Sequence, residues 1–138
     1  MQFRKAVMQD VDAIWEIEQS VFSSPWSRDQ LAHELVANPT AGHWVLDDGN
    51  SILGFIMSYI VQYEVQIINI AVRLSHQYRG YGKIILSEFL SRFNEKTYFF
   101  RFFIHAQHFF RCPNFRFPLR SLKNCLIEDA YGKWLNEI

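Results

Sequence analysis

Two apolar runs, Ile52–Val61 and Val65–Val72, stand three residues apart across Gln62-Tyr63-Glu64. Each is long enough for a strand, and Ile52–Val61 is apolar enough for one buried on both faces. A connection this short leaves no room for a crossover helix, so the two strands must pair as an antiparallel hairpin. The rest of the chain has to cover that hairpin.

The covering elements are legible in the spacing of apolar residues. Phe3 to Val7 suits a first strand. Asp10 is a helix N-cap residue, and Val11, Ile14, Trp15, Val21 and Phe22 then recur at three- and four-residue spacing, marking one buried helical face that Pro25 ends. Ser27-Arg28-Asp29-Gln30 has the form of a capping box, opening a second helix with Leu31 and Leu35 inward until Asn38-Pro39 stops it. Trp44 to Leu46 is a short strand closed by the turn residues Asp47 to Asn50. After the hairpin, Ile85, Leu86, Phe89, Leu90 and Phe93 return to helical spacing from Gly82 to about Glu95-Lys96. The order β-α-α-β-β-β-α implies an α+β fold, and 138 residues suit a single domain over 1–138 rather than two.

Charge excludes some partners. Fourteen basic and fourteen acidic side chains cancel, which argues against a globally basic nucleic-acid binder. The cancellation is uneven: residues 97–127 carry five basic side chains and no acidic one, together with eight of the thirteen Phe residues. No apolar run reaches signal-peptide or membrane-spanning length, so a cytoplasmic protein with no membrane partner is expected. Cys112 and Cys125 lack the spacing of a zinc site or a disulfide framework, so both are expected as free thiols and no metal is expected.

Between the Val65–Val72 strand and the next helix lies Gln77-Tyr78-Arg79-Gly80-Tyr81-Gly82-Lys83. A strand, a glycine loop and a helix N-terminus can cradle a phosphate, because the first turn's amides lack intrahelical partners and the helix dipole favours an anion there. Glycine lets the backbone approach the ligand, and Arg79 and Lys83 add positive charge. A tight turn with no ligand explains the same pattern equally well. The P-loop and dinucleotide patterns are both absent.

The wider order is more specific. Asn69-Ile70-Ala71-Val72, a short spacer, then Gln77-x-x-Gly80-x-Gly82-x-x-Ile85-Leu86 resembles the acetyl-CoA-binding core of the GNAT superfamily of N-acetyltransferases, with its R/Q-x-x-G-x-G/A signature. Glu18-Gln-Ser-Val-Phe22 followed by Pro25-Trp26-Ser27 resembles the first-helix region of the bacterial ribosomal-protein-alanine N-acetyltransferases. The resemblance covers residues 1–96, roughly 70% of the chain. It implies a mixed, mostly antiparallel sheet flanked by helices, whose fourth and fifth strands splay apart around the acyl arm of acetyl-CoA. It implies that Ile70, Ala71 and Val72 contact the acetyl-pantetheine arm, and that the loop Tyr78, Arg79, Gly80, Tyr81, Gly82 and Lys83 wraps the pyrophosphate. It also implies direct transfer to the N-terminal alanine of a small-subunit ribosomal protein, with no direct contact to nucleic acid. An α-amino group of pKa about 8 costs only about 1 kcal/mol to deprotonate at neutral pH, so a general base helps such an acceptor without being indispensable.

The resemblance stops short of the catalytic residues. The family's L-E-V-R strand with its glutamate base, and the later S-N, L-Y and L-G-F motifs with the acid tyrosine, have no counterpart in 97–127, and the familiar ending resumes at Glu128-Asp129-Ala130. Three readings of that segment stay open. Tyr98 to Ile104 can be the fifth strand, its aromatic content suiting a sheet. Interleaved Phe and Arg can form an RNA-binding or membrane surface. The stretch can also derive from a displaced reading frame, which would leave an acyl-CoA-binding remnant with impaired catalysis. Glu64 is a candidate substitute base and Tyr131 a candidate substitute acid, and the general base and acid themselves stay unassigned.

Overall fold

The computed structural model describes residues 1–93, 98–103 and 125–128. Expectations placed on Glu95-Lys96, Cys112, Tyr131 and most of 97–127 lie outside those residues. Among them the chain forms β1 (Gln2–Lys5), α1 (Val11–Val21), α2 (Arg28–Ala37), β2 (Trp44–Asp47), β3 (Ile52–Val61), β4 (Glu64–Val72), α3 (Tyr81–Leu90), β5 (Phe99–Phe103) and β6 (Cys125–Glu128). The strands make one mixed sheet in sequential order, antiparallel from β1 to β4 and parallel from β4 to β6.

The expected hairpin is β3–β4, and Gln62 takes the positive φ of 53° that its tight turn requires. Alternating residues divide the core into two layers. On one face Ile56, Ile70, Val72 and Phe100 pack with Ile85, Leu86 and Phe89 of α3. On the other, Val45, Phe55, Met57 and Ala71 pack with Val11, Ile14 and Ile17 of α1 and Leu31 of α2. Gly54 permits the α3 layer: a Cβ there would stand 2.5 Å from the Ala71 carbonyl oxygen and 2.7 Å from Ile85 Cδ1.

Local rules hold with informative exceptions. Ser27 and Gln30 form the reciprocal capping box that opens α2. Asp10 sits at the N-cap of α1 without capping it. Its carboxylate accepts the Val7 N–H at 2.9 Å and two bonds from Arg4, whose guanidinium also reaches Asp47 at 2.8 Å. The pull of a cation on the neighbouring strand thus outcompetes the cap. Trp15 is exposed, and Ile17 takes the buried place expected of it. Helix α3 ends at Leu90, earlier than its apolar spacing implied, because the N–H groups of Arg92 and Phe93 bond three residues back and tighten the last turn. Phe93 nevertheless packs on the core.

Candidate functional site

The site begins at an irregularity in β4. Met57 pairs with Asn69 and Ser58 with Ile67, so Ile68 is an extra, bulged residue. The parallel pairing of β4 with β5 runs from Glu64–Phe99 to Ile67–Phe102 and no further. From Asn69 to Val72, β4 is therefore held by β3 alone, and its outer edge is open, among the described residues. The Arg73 N–H donates to the Leu53 carbonyl on β3 at 2.8 Å, so strand alternation turns the N–H and C=O groups of Ala71 towards β3 and those of Ile70 and Val72 towards the opening. Ile70, Ala71 and Val72 are all buried as side chains, which leaves their backbone as the usable chemistry.

The loop that follows is bent back onto this edge. Gln77 Nε2 donates to the Val72 carbonyl oxygen at 3.1 Å. Tyr78 then adopts φ 63° and Gly80 φ 86°, two left-handed residues that turn the chain into α3. Tyr78 is 85% exposed, a large side chain on a strained backbone facing solvent. Gly80 is the N-cap, without any side-chain cap, and the first intrahelical bond of α3 runs from the Ile84 N–H to the Gly80 carbonyl. The amides of Tyr81, Gly82 and Lys83 accordingly have no intrahelical acceptor. A Cβ added at Gly80 meets nothing within 4 Å among the described residues, so the space beside the N-cap is open.

Electrostatics give that space a preferred occupant. Arg79 and Lys83 are exposed, and no acidic residue occupies the first turn of α3. Cations at the positive end of a helix dipole cost about 0.3–1 kcal/mol each. An anion bound there is attracted both by the helix dipole and by the two cations, so the loop suits a phosphate group.

The two substitute catalytic groups fare differently. Glu64 lies at the far end of β4, where it accepts from Gln66 Nε2 at 2.7 Å and pairs with Arg101 of β5 at 3.3 Å. Six residues at about 3.3 Å each separate it from Ile70, so its carboxylate is out of reach of the opening. Tyr131 lies outside the described residues. Sequence reasoning passed over a third group: Glu18, fully buried on α1, is hydrogen-bonded to Asn69 at 2.7 Å and to the Trp26 N–H at 3.2 Å. Burial pushes its carboxyl above the usual glutamate value, against the lowering effect of those two bonds. The signal was available, since Glu18 falls four residues after Ile14 and seven after Val11 on the same buried stripe.

A protein of Bacillus subtilis (strain 168), provisionally named ribosomal protein bS18-alanine N-acetyltransferase, is 32% identical over 93 residues, covering 67% of this chain and 62% of that protein. The crystal structure of the ribosomal-protein-S18-alanine N-acetyltransferase from Escherichia coli superimposes with a TM-score of 0.61 at 23% identity, over 66% of this chain and 57% of that one. The PaiA N-acetyltransferase from Thermoplasma acidophilum, crystallised with coenzyme A, gives a TM-score of 0.63 at 16% identity, over 77% and 80% of the two chains. The chain spans about three-fifths of the length of the curated relatives it matches. The model of the acetyltransferase (GNAT) family matches residues 11–112, extending past Lys96 and through β5, where the sequence motifs had run out. With its signature loop before α3, its opening beside β4 and a family match across most of its length, the chain belongs to the acetyltransferase (GNAT) family.

Proposed function

We propose that the protein binds acetyl-CoA along the open edge of β4 and the loop before α3, and transfers the acetyl group to a protein N-terminal amine, that of alanine in a small-subunit ribosomal protein. The observation that carries this reading is the meeting of three helix amides without intrahelical acceptors, flanked by Arg79 and Lys83, with a strand edge whose Ile70 and Val72 backbone groups are unpaired by β5 among the described residues. The pyrophosphate would lie against the amides of Tyr81, Gly82 and Lys83. The pantetheine arm would run along the Ile70–Val72 backbone as an added strand would, exchanging hydrogen bonds. The N–H of Val72 or Ile70 then stands ready to stabilise the oxyanion formed when an amine attacks the thioester carbonyl, and such a donor is worth about 3–4 kcal/mol in the transition state. The alanine acceptor is supported by the relative from Bacillus subtilis and by the Glu18-to-Phe22 and Pro25-Trp26-Ser27 segments. No helix among the described residues is long and apolar enough to cross a membrane.

A second reading, binding of acyl-CoA without turnover, is favoured by the sequence of β5. Phe99-Phe100-Arg101-Phe102-Phe103 stands where the family resemblance calls for a strand bearing a glutamate base. One experiment separates the two. Thiol release from acetyl-CoA in the presence of an Ala-initiated peptide is measured beside calorimetric binding of CoA. Turnover with binding supports transfer, binding alone supports the second reading, and absence of binding refutes both.

A further inference from the structure

The bond between Glu18 and Asn69 lies apart from the glycine loop, on the face of the sheet that α1 covers. Glu18 is fully buried on α1, and Asn69 is 4% exposed on β4. Asn69 Nδ2 donates to Glu18 Oε1 at 2.7 Å, while Glu18 Oε2 accepts the Trp26 N–H from the α1–α2 connection at 3.2 Å. Both carboxyl oxygens and the donor side of the carboxamide are thereby engaged. The acceptor side is not, because Asn69 Oδ1 is buried without a hydrogen-bond partner among the described residues. A buried carbonyl that has lost water and gained no donor is costly to keep, and the bond to Glu18 stops the amide from turning that oxygen elsewhere.

Position gives the unpaired oxygen a meaning. Asn69 follows the bulged Ile68, just past the point where the pairing of β4 with β5 ends among the described residues. Its side chain reaches α1, on the face that Ala71 shares, whereas α3 and its glycine loop lie on the opposite face with Ile70 and Val72. A thioester anchored at the N-terminus of α3 occupies the loop side of the opening. The face left to the second reactant is that of α1, and an amine arriving there brings N–H donors.

We propose that Asn69 Oδ1 accepts an N–H of the attacking amine at this opening, and that Glu18 acts through Asn69 as a positioning residue. The inference rests on the acyl-transfer reading. Holding one N–H fixes the direction of the nitrogen lone pair towards the thioester carbon, and no bond to the protein forms.

The test compares the wild type with Asn69→Ala, Glu18→Ala and the double variant, using steady-state kinetics with acetyl-CoA and an Ala-initiated peptide, and calorimetry with CoA. Asn69→Ala should raise the KM for peptide about tenfold, the worth of one hydrogen bond, with CoA affinity held within about twofold. Glu18→Ala should do the same, and the double variant should be no worse than Asn69→Ala, because one residue acts through the other. Where the wild type binds both ligands without turnover, the Kd for peptide on the CoA-loaded protein replaces KM. An unchanged peptide constant in Asn69→Ala, or an equal loss of CoA affinity, overturns this inference while leaving acyl transfer standing. A wild type that neither turns over nor binds the peptide refutes the acyl-transfer reading and the inference with it. Should the variants fail to fold, the Asn69 side-chain amide resonances of nitrogen-labelled wild type decide: they shift when peptide is added to the CoA-loaded protein, or the inference is wrong.

Discussion

Gln77 Nε2 and the Val72 carbonyl oxygen lie 3.1 Å apart, and this bond folds the glycine loop back onto the open edge of β4. It joins the two halves of the proposed CoA site, the strand that meets the acyl arm and the loop that meets the phosphates. Replacing Gln77 by Ala removes one partly buried neutral bond, so unfolding free energy should drop by about 1 kcal/mol. CoA affinity should fall more than stability alone explains, by about tenfold, because the loop must then be ordered by the ligand. Gln77→Arg keeps a donor at that place and should restore most of the affinity. Urea unfolding and calorimetry with CoA measure the two effects separately.

Gly80 tests the cradle in a different way. Its φ of 86° is strained for any residue with a Cβ, yet a Cβ there meets nothing within 4 Å in the free protein. Gly80→Val should therefore cost about 1–2 kcal/mol of stability through backbone conformation. A side chain at this N-cap, next to the first-turn amides of α3, should block close approach of the ligand and abolish measurable CoA binding. Gly82→Val should also abolish CoA binding, by blocking approach of the backbone to the ligand. A folded Gly80→Val or Gly82→Val protein with unchanged CoA affinity would mean that the phosphate site lies elsewhere.

What the sequence disclosed and what it hid have separate physical causes. The hairpin, the capping box at Ser27 and the helix before Pro25 were legible because each depends on neighbours in the chain. The cofactor loop was legible because glycine spacing encodes backbone shape. Glu18 and Asn69 were visible only as letters within longer motifs, since their meaning comes from a contact across 51 residues. The separation of Glu64 from Ile70 follows from six positions along one strand, whereas the point at which β4 loses its pairing with β5 among the described residues depends on strand register, which no local pattern reports. Fold membership likewise extended through β5 even though Phe99 to Phe103 had lost every motif residue, because a strand in that place needs only β-forming side chains.

Gly54 links core packing to the site. It faces α3 at the strand position opposite Val72, and a Cβ would lie 2.5 Å from the Ala71 carbonyl oxygen. The obstacle is backbone, which cannot swing aside as a side chain can. Gly54→Ala should destabilise the protein by about 1–3 kcal/mol, the cost of overpacking a tight core. It should also weaken CoA binding, because pushing β4 away displaces Ala71 and Val72. Chemical denaturation gives the first number and calorimetry the second. A destabilised variant with full affinity would show that the edge of β4 contributes little to binding.

Two buried carboxyls predict opposite pH slopes. Burial raises Glu18 above the ordinary value of 4.5 despite bonds from Trp26 and Asn69, so the native state holds its proton more tightly than the unfolded chain does. The stability this gives is complete below 4.5 and is lost as pH rises through the raised native value. Burial pushes Asp10 in the same direction, but the bonds from Arg4 and the Val7 N–H outweigh it, and its carboxyl ends below 3.8. Its contribution is present above 3.8 and is lost as pH falls through the lowered native value. Thermal unfolding between about pH 3 and pH 8 should therefore show the advantage of wild type over Glu18→Gln shrinking as pH rises, and its advantage over Asp10→Asn shrinking as pH falls. A Glu18→Gln difference that stays flat would mean that Glu18 titrates as an exposed carboxylate does, which is incompatible with its burial between α1 and Asn69.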